Sequence, residues 1–257
     1  MVQVGKAMTV QRLTWQQVNA WRLTQQQLSV RAAPDALLKV VARLGGVQAQ
    51  LMPAAELALG VRVKDIHPAD VQRLLWAERT LVKTWAMRGT LHLLAAHELG
   101  HFVAAWAATI PKRPPSYYTY HKVTPAELDT LIGTIPTVLD ATPRTREQLA
   151  DAVAQQTDNP NLREVLLSGW GALLKPSARR GDICFGPNQG QHVTFVRPTD
   201  WLGDLIPTFL PDAQGPALAL GISRGRARPA VRVLRHVFPA RAGRSPATRN
   251  LGRQTSD

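Results

Sequence analysis

Cysteine and long apolar runs are scarce in this 257-residue sequence, and each scarcity excludes a class of protein. A single cysteine, Cys184, cannot form an internal disulfide or a cysteine-based zinc site, and it fits a reducing compartment. No apolar stretch approaches the roughly 20 residues of a membrane-spanning helix, and the N-terminus lacks the pattern of a secretory signal. We therefore predict a cytoplasmic protein without membrane contact.

Acidic residues are also scarce, because 18 Asp and Glu stand against 31 Lys and Arg, for a formal net charge of +13. A polyanion such as DNA is the first partner to consider for such a chain. The charge is uneven: residues 221–257 hold nine arginines and one acid, Asp257, which is +8 of the +13. The body of the protein is therefore only mildly basic.

Residues 8–110 show the element order of a winged helix. Apolar residues recur at helical spacing early in this region, and Pro34, Pro53 and Pro68 each begin a further helical pattern. The period then changes to two short β-rich runs, TLVKTWAM and TLHLL, separated by an Arg-Gly turn. Helices followed by a β-hairpin predict a first winged helix.

The same order recurs in residues 124–198, after a Pro- and Tyr-rich connector at 111–123. Thr124 is placed as a helix N-cap, and Thr145 and Gln148 have the spacing of a capping box. Another apolar helical pattern follows, and then two strands, GDIC and HVTFV, around the turn FGPNQGQ. These features predict a second winged helix in tandem with the first.

The sequence changes character after about residue 199. Residues 199–220 resemble the start of a third unit, which we expect to be incomplete. Residues 221–257 are rich in Arg, Ala, Pro and Gly without an apolar face, so we expect a basic, disordered tail. The predicted fold class is mainly α with small β-wings, as two tandem winged helices and part of a third.

Three patches of the sequence carry a resemblance to a known family. VQAQ, TLVKTWAMRGTLHLL and GDICFGPNQGQHVTFV are similar, in this order, to patches of the winged-helix DNA glycosylases of the AlkZ/YcaQ type, over roughly residues 10–210. Members of that family excise alkylated purines, and some unhook interstrand crosslinks. Their Gln-x-Gln motif is catalytic, and the resemblance places it on Gln48 and Gln50.

Two neutral amides suit this chemistry. A purine alkylated at N7 or N3 is already cationic, so it leaves readily and needs little help from a general acid. The protein has to hold a water and stabilise the positive charge that grows on the sugar, and amide oxygens can do both. Side chains at alternate positions of an extended segment point to the same side. The alternative is that Gln48 and Gln50 belong to an ordinary solvated loop or helix cap.

Six further side chains are candidates for DNA contact. The turn of the first wing supplies a possible phosphate contact and a lining for a lesion pocket, and a basic run before the second wing is suited to following the backbone. These residues are Arg88, Thr90 and His92 in the first wing, and Lys175, Arg179 and Arg180 before the second. An ordinary β-turn and a solvated helix end are the alternative interpretations.

Aromatic residues divide into two groups. Trp85 and Trp106 lie in apolar patterns and are predicted to belong to the core, as is Cys184. The connector contains Tyr117, Tyr118 and Tyr120, and connectors lie on the surface, so these rings are candidates for stacking on bases.

The motif HELGH at residues 97–101 points to a different chemistry, because H-E-x-x-H on a helix binds zinc in metallopeptidases. Alanines occupy the positions of the extended form of the motif. A distant ligand such as Glu127 follows a Pro-rich connector that does not fix its position. We expect His97 and His101 to be a structural pair on the helix after the wing.

The sequence therefore favours a monomeric, monofunctional DNA glycosylase that acts on cationic alkylated purines in double-stranded DNA. Neither a metal nor an organic cofactor is implied, because hydrolysis needs only water. Two alternatives stay open: a non-catalytic winged-helix regulator that binds DNA, and a zinc-dependent hydrolase that uses residues 97–101.

Overall fold

A computed structural model describes residues 12–109, 113–168 and 171–205 of the chain. This part is mainly helical and carries two small antiparallel sheets, which confirms the predicted fold class at that level. The helices are α1 (Trp15–Gln25), α2 (Leu37–Leu44), α3 (Met52–Gly60), α4 (Pro68–Trp76), α5 (Leu99–Ala107), α6 (Pro115–His121), α7 (Pro125–Val138), α8 (Arg146–Thr157), α9 (Pro160–Ser168), α10 (Lys175–Arg180) and α11 (Pro198–Leu202). The strands are β1 (Val47–Gln48), β2 (Leu81–Trp85), β3 (Leu91–Ala95), β4 (Arg144–Thr145), β5 (Cys184–Gln189) and β6 (His192–Val196).

One order of elements occurs twice in this architecture. Helix, strand, two helices and a hairpin form the set α2, β1, α3, α4, β2, β3, and the set α7, β4, α8, α9, β5, β6 repeats it, with α10 added before its hairpin. In each sheet the last strand in the chain lies in the middle, which gives the orders β1-β3-β2 and β4-β6-β5. The two halves of the described chain therefore share one topology.

Local capping explains where several helices begin and end. The backbone N–H of Glu127 donates to Thr124 Oγ1 at 3.1 Å, and that of Gln148 donates to Thr145 Oγ1 at 3.2 Å. The side chains of Glu127 and Gln148 in turn accept from the backbone N–H of Thr124 and Thr145. The predicted N-cap and capping box are thus confirmed. Gly45 ends α2 with a left-handed φ of 71°, which a glycine adopts without strain.

Two segments differ from the expectation. The strand β5 continues through most of the predicted turn, and the reversal falls on Gly190, because the ladder resumes at Gln189–His192 beyond a bulge. Helix α6 lies inside the predicted connector 111–123, where Pro115 supplies a φ suited to its first turn. Of the predicted third unit, the structure describes α11 and a 3₁₀ turn; residues 206–220 and the predicted tail lie outside the described residues.

The first half has its own core, in which α2, α3 and α4 cover one face of the first sheet. Val41, Leu59, Leu75, Leu81 and Leu93 are fully buried there. A second core is built by α7, α8 and α9 against the second sheet. In the described part of the chain no helix is long and apolar enough to cross a bilayer.

Trp85 joins the two halves. Its ring lies 4.8 Å from that of Phe185 and 6.1 Å from that of Phe195, between centroids, and it is buried, as are Trp106 and Cys184. The predicted core positions of these three residues are thus confirmed. A Cβ atom at Gly171 would lie 2.7 Å from Trp85 Cζ2, so the second half approaches the indole through a position that only glycine fits. Removal of a buried tryptophan of this kind typically costs about 3–5 kcal/mol.

Candidate active site

The two glutamines leave the chain on the same side. Gln48 and Gln50 are exposed, whereas Val47 before them and Ala49 between them are buried. The backbone N–H of Ala49 donates to the carbonyl of Leu91 at 2.7 Å, which holds this segment against β3. No hydrogen bond joins either side-chain amide to another described residue. The sequence predicted a loop at Gln48, which lies instead in β1, a strand of two residues that forms by pairing with β3.

His92 lies directly opposite Gln48 in the first sheet. Because the Ala49–Leu91 hydrogen bond belongs to the neighbouring position, Gln48 and His92 form a non-hydrogen-bonded antiparallel pair. The Cα atoms of such pairs are typically about 4.5 Å apart and their side chains share one face of the sheet. The structure therefore brings together two residues that lie far apart in the sequence.

The imidazole of His92 is held in one orientation. Its Nδ1 lies 3.0 Å from the carbonyl oxygen of Thr90, and since a carbonyl only accepts, Nδ1 carries the hydrogen. Burial lowers the pKa of His92 below its usual 6.5, the Thr90 contact raises it and the charge of Arg88 lowers it. A neutral ring with a free Nε2 lone pair results at neutral pH.

Arg88 and Gly89 form the tip of the first hairpin, the segment from β2 to β3. Both have positive φ, 59° for Arg88 and 73° for Gly89. An arginine in this left-handed region costs roughly 1–2 kcal/mol, so its exposed guanidinium is presented at the expense of stability. Thr90 Oγ1 donates to the Met87 carbonyl at 3.1 Å, which commits the hydroxyl hydrogen to the turn.

The three basic residues of the predicted backbone-binding run do not act alike. Lys175 lies against the hairpin tip, since a Cβ on Gly89 would be 3.7 Å from Lys175 Nζ. Arg179 stacks over Trp106, with Cζ 4.7 Å from the ring centroid. Arg180 donates to Asp182 at 2.7 Å and is already neutralised. Of these three residues, only Lys175 lies against the hairpin tip, at the glycine that follows Arg88.

Gly46 is a residue of the site that the sequence analysis did not identify. Its φ is +97°, and a Cβ there would lie 2.5 Å from Leu94 Cδ2 and 3.2 Å from the Leu93 carbonyl oxygen. Glycine at this position lets β1 pack against β3, which places Gln48 beside His92. Gly45 ends α2, whereas Gly46 has this separate role.

Lys83 is the buried amine closest in sequence to this site, and it faces away from it. Its neighbour Thr84 pairs with His92, so strand alternation puts Lys83 on the opposite face, over the Phe185 ring at 5.3 Å. Burial lowers the pKa of Lys83. The Lys83 amine is thus not on the face that carries the glutamines.

The HELGH segment does not gather ligands. His97 lies in a 3₁₀ turn and His101 in the first turn of α5, and both are exposed. Glu127, the distant candidate, accepts hydrogen bonds from Thr124 and Asn161, and these contacts lower its pKa to about 2. Among the described residues, no three His, Cys, Asp or Glu side chains lie close enough to hold a metal ion.

Comparisons with known proteins agree with one another. The model of a family described as DNA glycosylase AlkZ-like matches residues 41–250. An interstrand DNA cross-link repair glycosylase of Streptomyces sahachiroi is 40% identical over 192 residues, which are 75% of this chain and 51% of that protein. The solved structure of the Streptomyces sahachiroi DNA glycosylase AlkZ superposes with a TM-score of 0.74 at 35% identity, covering 89% of this chain and 58% of that one. The chain spans about half the length of the curated relative that it matches.

Proposed function

Because this chain belongs to the AlkZ-like DNA glycosylase family, we propose that it hydrolyses the N-glycosidic bond of cationic alkylated purines in duplex DNA. One observation of the site supports this proposal most directly. Two exposed amides that bond to no other described residue stand on the sheet face that carries a neutral, oriented histidine. Gln48 and Gln50 are the proposed catalytic residues.

The proposed reaction needs acceptors rather than an acid. As the bond between C1′ and the base nitrogen breaks, its electrons leave with the base and cancel the base's positive charge. Positive charge then grows on the sugar, where the amide oxygens of Gln48 and Gln50 stabilise it and hold the attacking water. The water oxygen bonds to C1′, and the proton it loses passes to solvent or to the free Nε2 of His92.

Positive charge next to the glutamines suits a DNA backbone. Arg88 projects from the hairpin tip close to His92, the partner of Gln48, and Lys175 lies against Gly89, so two cations stand at the hairpin tip. We assign both to phosphate contacts, with Thr90 and His92 lining the lesion pocket. The chain is proposed to bind DNA as a monomer.

The repeated topology supports an assignment of two tandem winged helices. Each half has the helix, strand, helix, helix, hairpin order with its last strand in the middle of the sheet. We place the units at residues 8–110 and 124–198, joined by segment 111–123, and residues 199–220 at the start of a third. In this assignment the glutamine strand lies between α2 and α3 of the first unit.

The proposal is tested by incubating the full chain with a duplex containing N7-methylguanine and measuring the free base. We expect Gln48→Ala and Gln50→Ala each to slow single-turnover release by about 100-fold, the typical effect of removing one preorganised dipole. Because both amides act on one water and one sugar cation, the double variant should be little slower than either single variant.

Gln26→Ala is the matched control, since Gln26 is an exposed amide at the end of α1, outside the first sheet. It should release base at the wild-type rate. A duplex with an alkyl interstrand cross-link tests whether the activity in the relative's name extends to this chain. Absence of base release from the monoadduct at high protein concentration would refute the glycosylase assignment and leave a non-catalytic DNA binder.

A further inference from the structure

Two arginines outside the glutamine strand are held flat on aromatic rings where α5, α6 and α10 meet. Arg179 lies over Trp106, with Cζ 4.7 Å from the centroid, and Arg113 lies over Tyr117 at 5.7 Å. Both guanidiniums are half-buried. Stacking on rings restricts the rotamers of both side chains before any ligand arrives.

Among residues 12–109, 113–168 and 171–205, no acidic side chain pairs with either of these two arginines. No salt bridge to either one is formed within the described residues, and Nε of Arg179 is buried without a hydrogen-bond partner. Burial lowers the pKa of Arg179 and the charge of Arg113 lowers it further, while the hydroxyl of Tyr117 lies close enough to both to oppose this change. Two like charges thus lie near one tyrosine, and their mutual repulsion is unfavourable until an anion joins them.

The position of the pair is as informative as its charge. Lys175 lies one helical turn before Arg179 on α10, and a Cβ at Gly89 would be 3.6 Å from both Lys175 Cδ and Trp106 Cζ2. The tip of the first hairpin therefore touches the same tryptophan on which Arg179 stacks. Arg88, Lys175, Arg179 and Arg113 are therefore linked, each to the next, by proximity around Gly89 and Trp106.

We propose that Arg113 and Arg179, framed by Tyr117 and Trp106, form a site for a backbone phosphate of duplex DNA adjacent to the first hairpin. Guanidinium groups offer planar forks of N–H donors that match phosphate oxygens, and a phosphate between them removes the repulsion of the free protein. This assignment rests on the proposed function, since it names how the substrate is held beside the glutamine site.

The test measures the affinity for undamaged duplex DNA as a function of salt concentration, so that DNA binding is examined separately from base release. Each contact to a B-DNA phosphate contributes about 0.9 to the slope of log affinity against log salt. We expect Arg113→Gln and Arg179→Gln each to lower the slope by up to about 0.9. If the affinities converge near 1 M salt, that loss corresponds to binding about eightfold weaker at 0.1 M.

Arg73→Gln is the control with the same change of charge. Arg73 is paired with Asp70 and Glu78 beside a cavity of 340 Å³ that Asp35 and Asp65 also line, so DNA should avoid this surface. Its slope should equal that of the wild type. If the slopes of Arg113→Gln and Arg179→Gln also equal that of the wild type, the phosphate site is refuted while the glycosylase assignment stands.

A merely structural role of the stacked arginines gives a different result. Removal of a repelled charge should leave the thermal unfolding temperature unchanged or raised, whereas loss of a structural clamp should lower it. Arg179→Lys retains charge and should keep most of the salt slope. If Arg179→Lys and Arg179→Gln instead both lower the unfolding temperature and both weaken DNA binding to the same extent, the arginine serves packing and the proposal is overturned.

Discussion

Replacing Arg88 by asparagine tests whether the hairpin tip is shaped for DNA rather than for stability. Arg88 has φ 59° and ψ 13°, in the left-handed region, where an ordinary side chain costs roughly 1–2 kcal/mol. Asparagine tolerates this region better and, unlike glycine, does not greatly widen the freedom of the unfolded chain. We expect Arg88→Asn to stabilise the protein by about 1 kcal/mol.

The expected gain is measurable. For a protein of this size, 1 kcal/mol corresponds to a rise of about 2–4 °C in the thermal unfolding midpoint. The same variant loses a cation beside the glutamine strand, so kcat/KM for base release should fall about eightfold at 0.1 M salt, the value of one phosphate contact. Calorimetry and the base-release assay on the same preparation give both numbers.

Lys122→Asn is the control for this pair of effects. Lys122 is an exposed cation with φ 53° at the end of α6, so its replacement relieves the same strain and removes the same charge. It should be stabilised as much as Arg88→Asn and release base at the wild-type rate. A destabilised Arg88→Asn, or one that is stabilised with full activity, would contradict the reasoning.

Two further variants test how the site is held. Gly46 has a φ of +97°, and a Cβ there would lie 2.5 Å from Leu94, so we expect Gly46→Ala to lose about 2–4 kcal/mol of stability and to release less base. Gly60→Ala is the control, because open space surrounds the position of its Cβ and the variant should not be destabilised. Equal midpoints of thermal unfolding for the two variants would rule out the packing argument. Because burial lowers the pKa of His92, the unfolded chain binds more protons than the folded one below about pH 6.5. Wild-type stability should therefore fall faster than that of His92→Gln as pH drops through and below 6.5, and parallel pH profiles in urea unfolding would show that His92 is not buried as described.

Local signals predicted much of the fold. The capping boxes at Thr124 and Thr145 act within one helical turn, and the alternation of Gln48 and Gln50 with buried neighbours is a property of a few adjacent residues. Strand β1 was missed because two residues form a strand only when β3 lies beside them. Helix α6 was missed because prolines and tyrosines resemble a connector when their tertiary contacts are unknown.

The site was predicted only in part for the same reason. Gln48 and His92 are recognisable separately, but their contact depends on strand register. The left-handed φ of Arg88 has no sequence signature, since arginine is not a turn residue of that type. Arg113 and Arg179 are far apart in sequence, and only the tertiary fold brings their charges together.

The indole at position 85 packs against two aromatic rings of the second sheet and against a glycine, so the two halves meet through a buried contact. On the proposed function, a double helix that touches both halves has to fit the one arrangement that this contact sets. Any deformation that the fit requires costs less at flexible base steps than at stiff ones, so DNA sequence that no side chain touches contributes to the affinity.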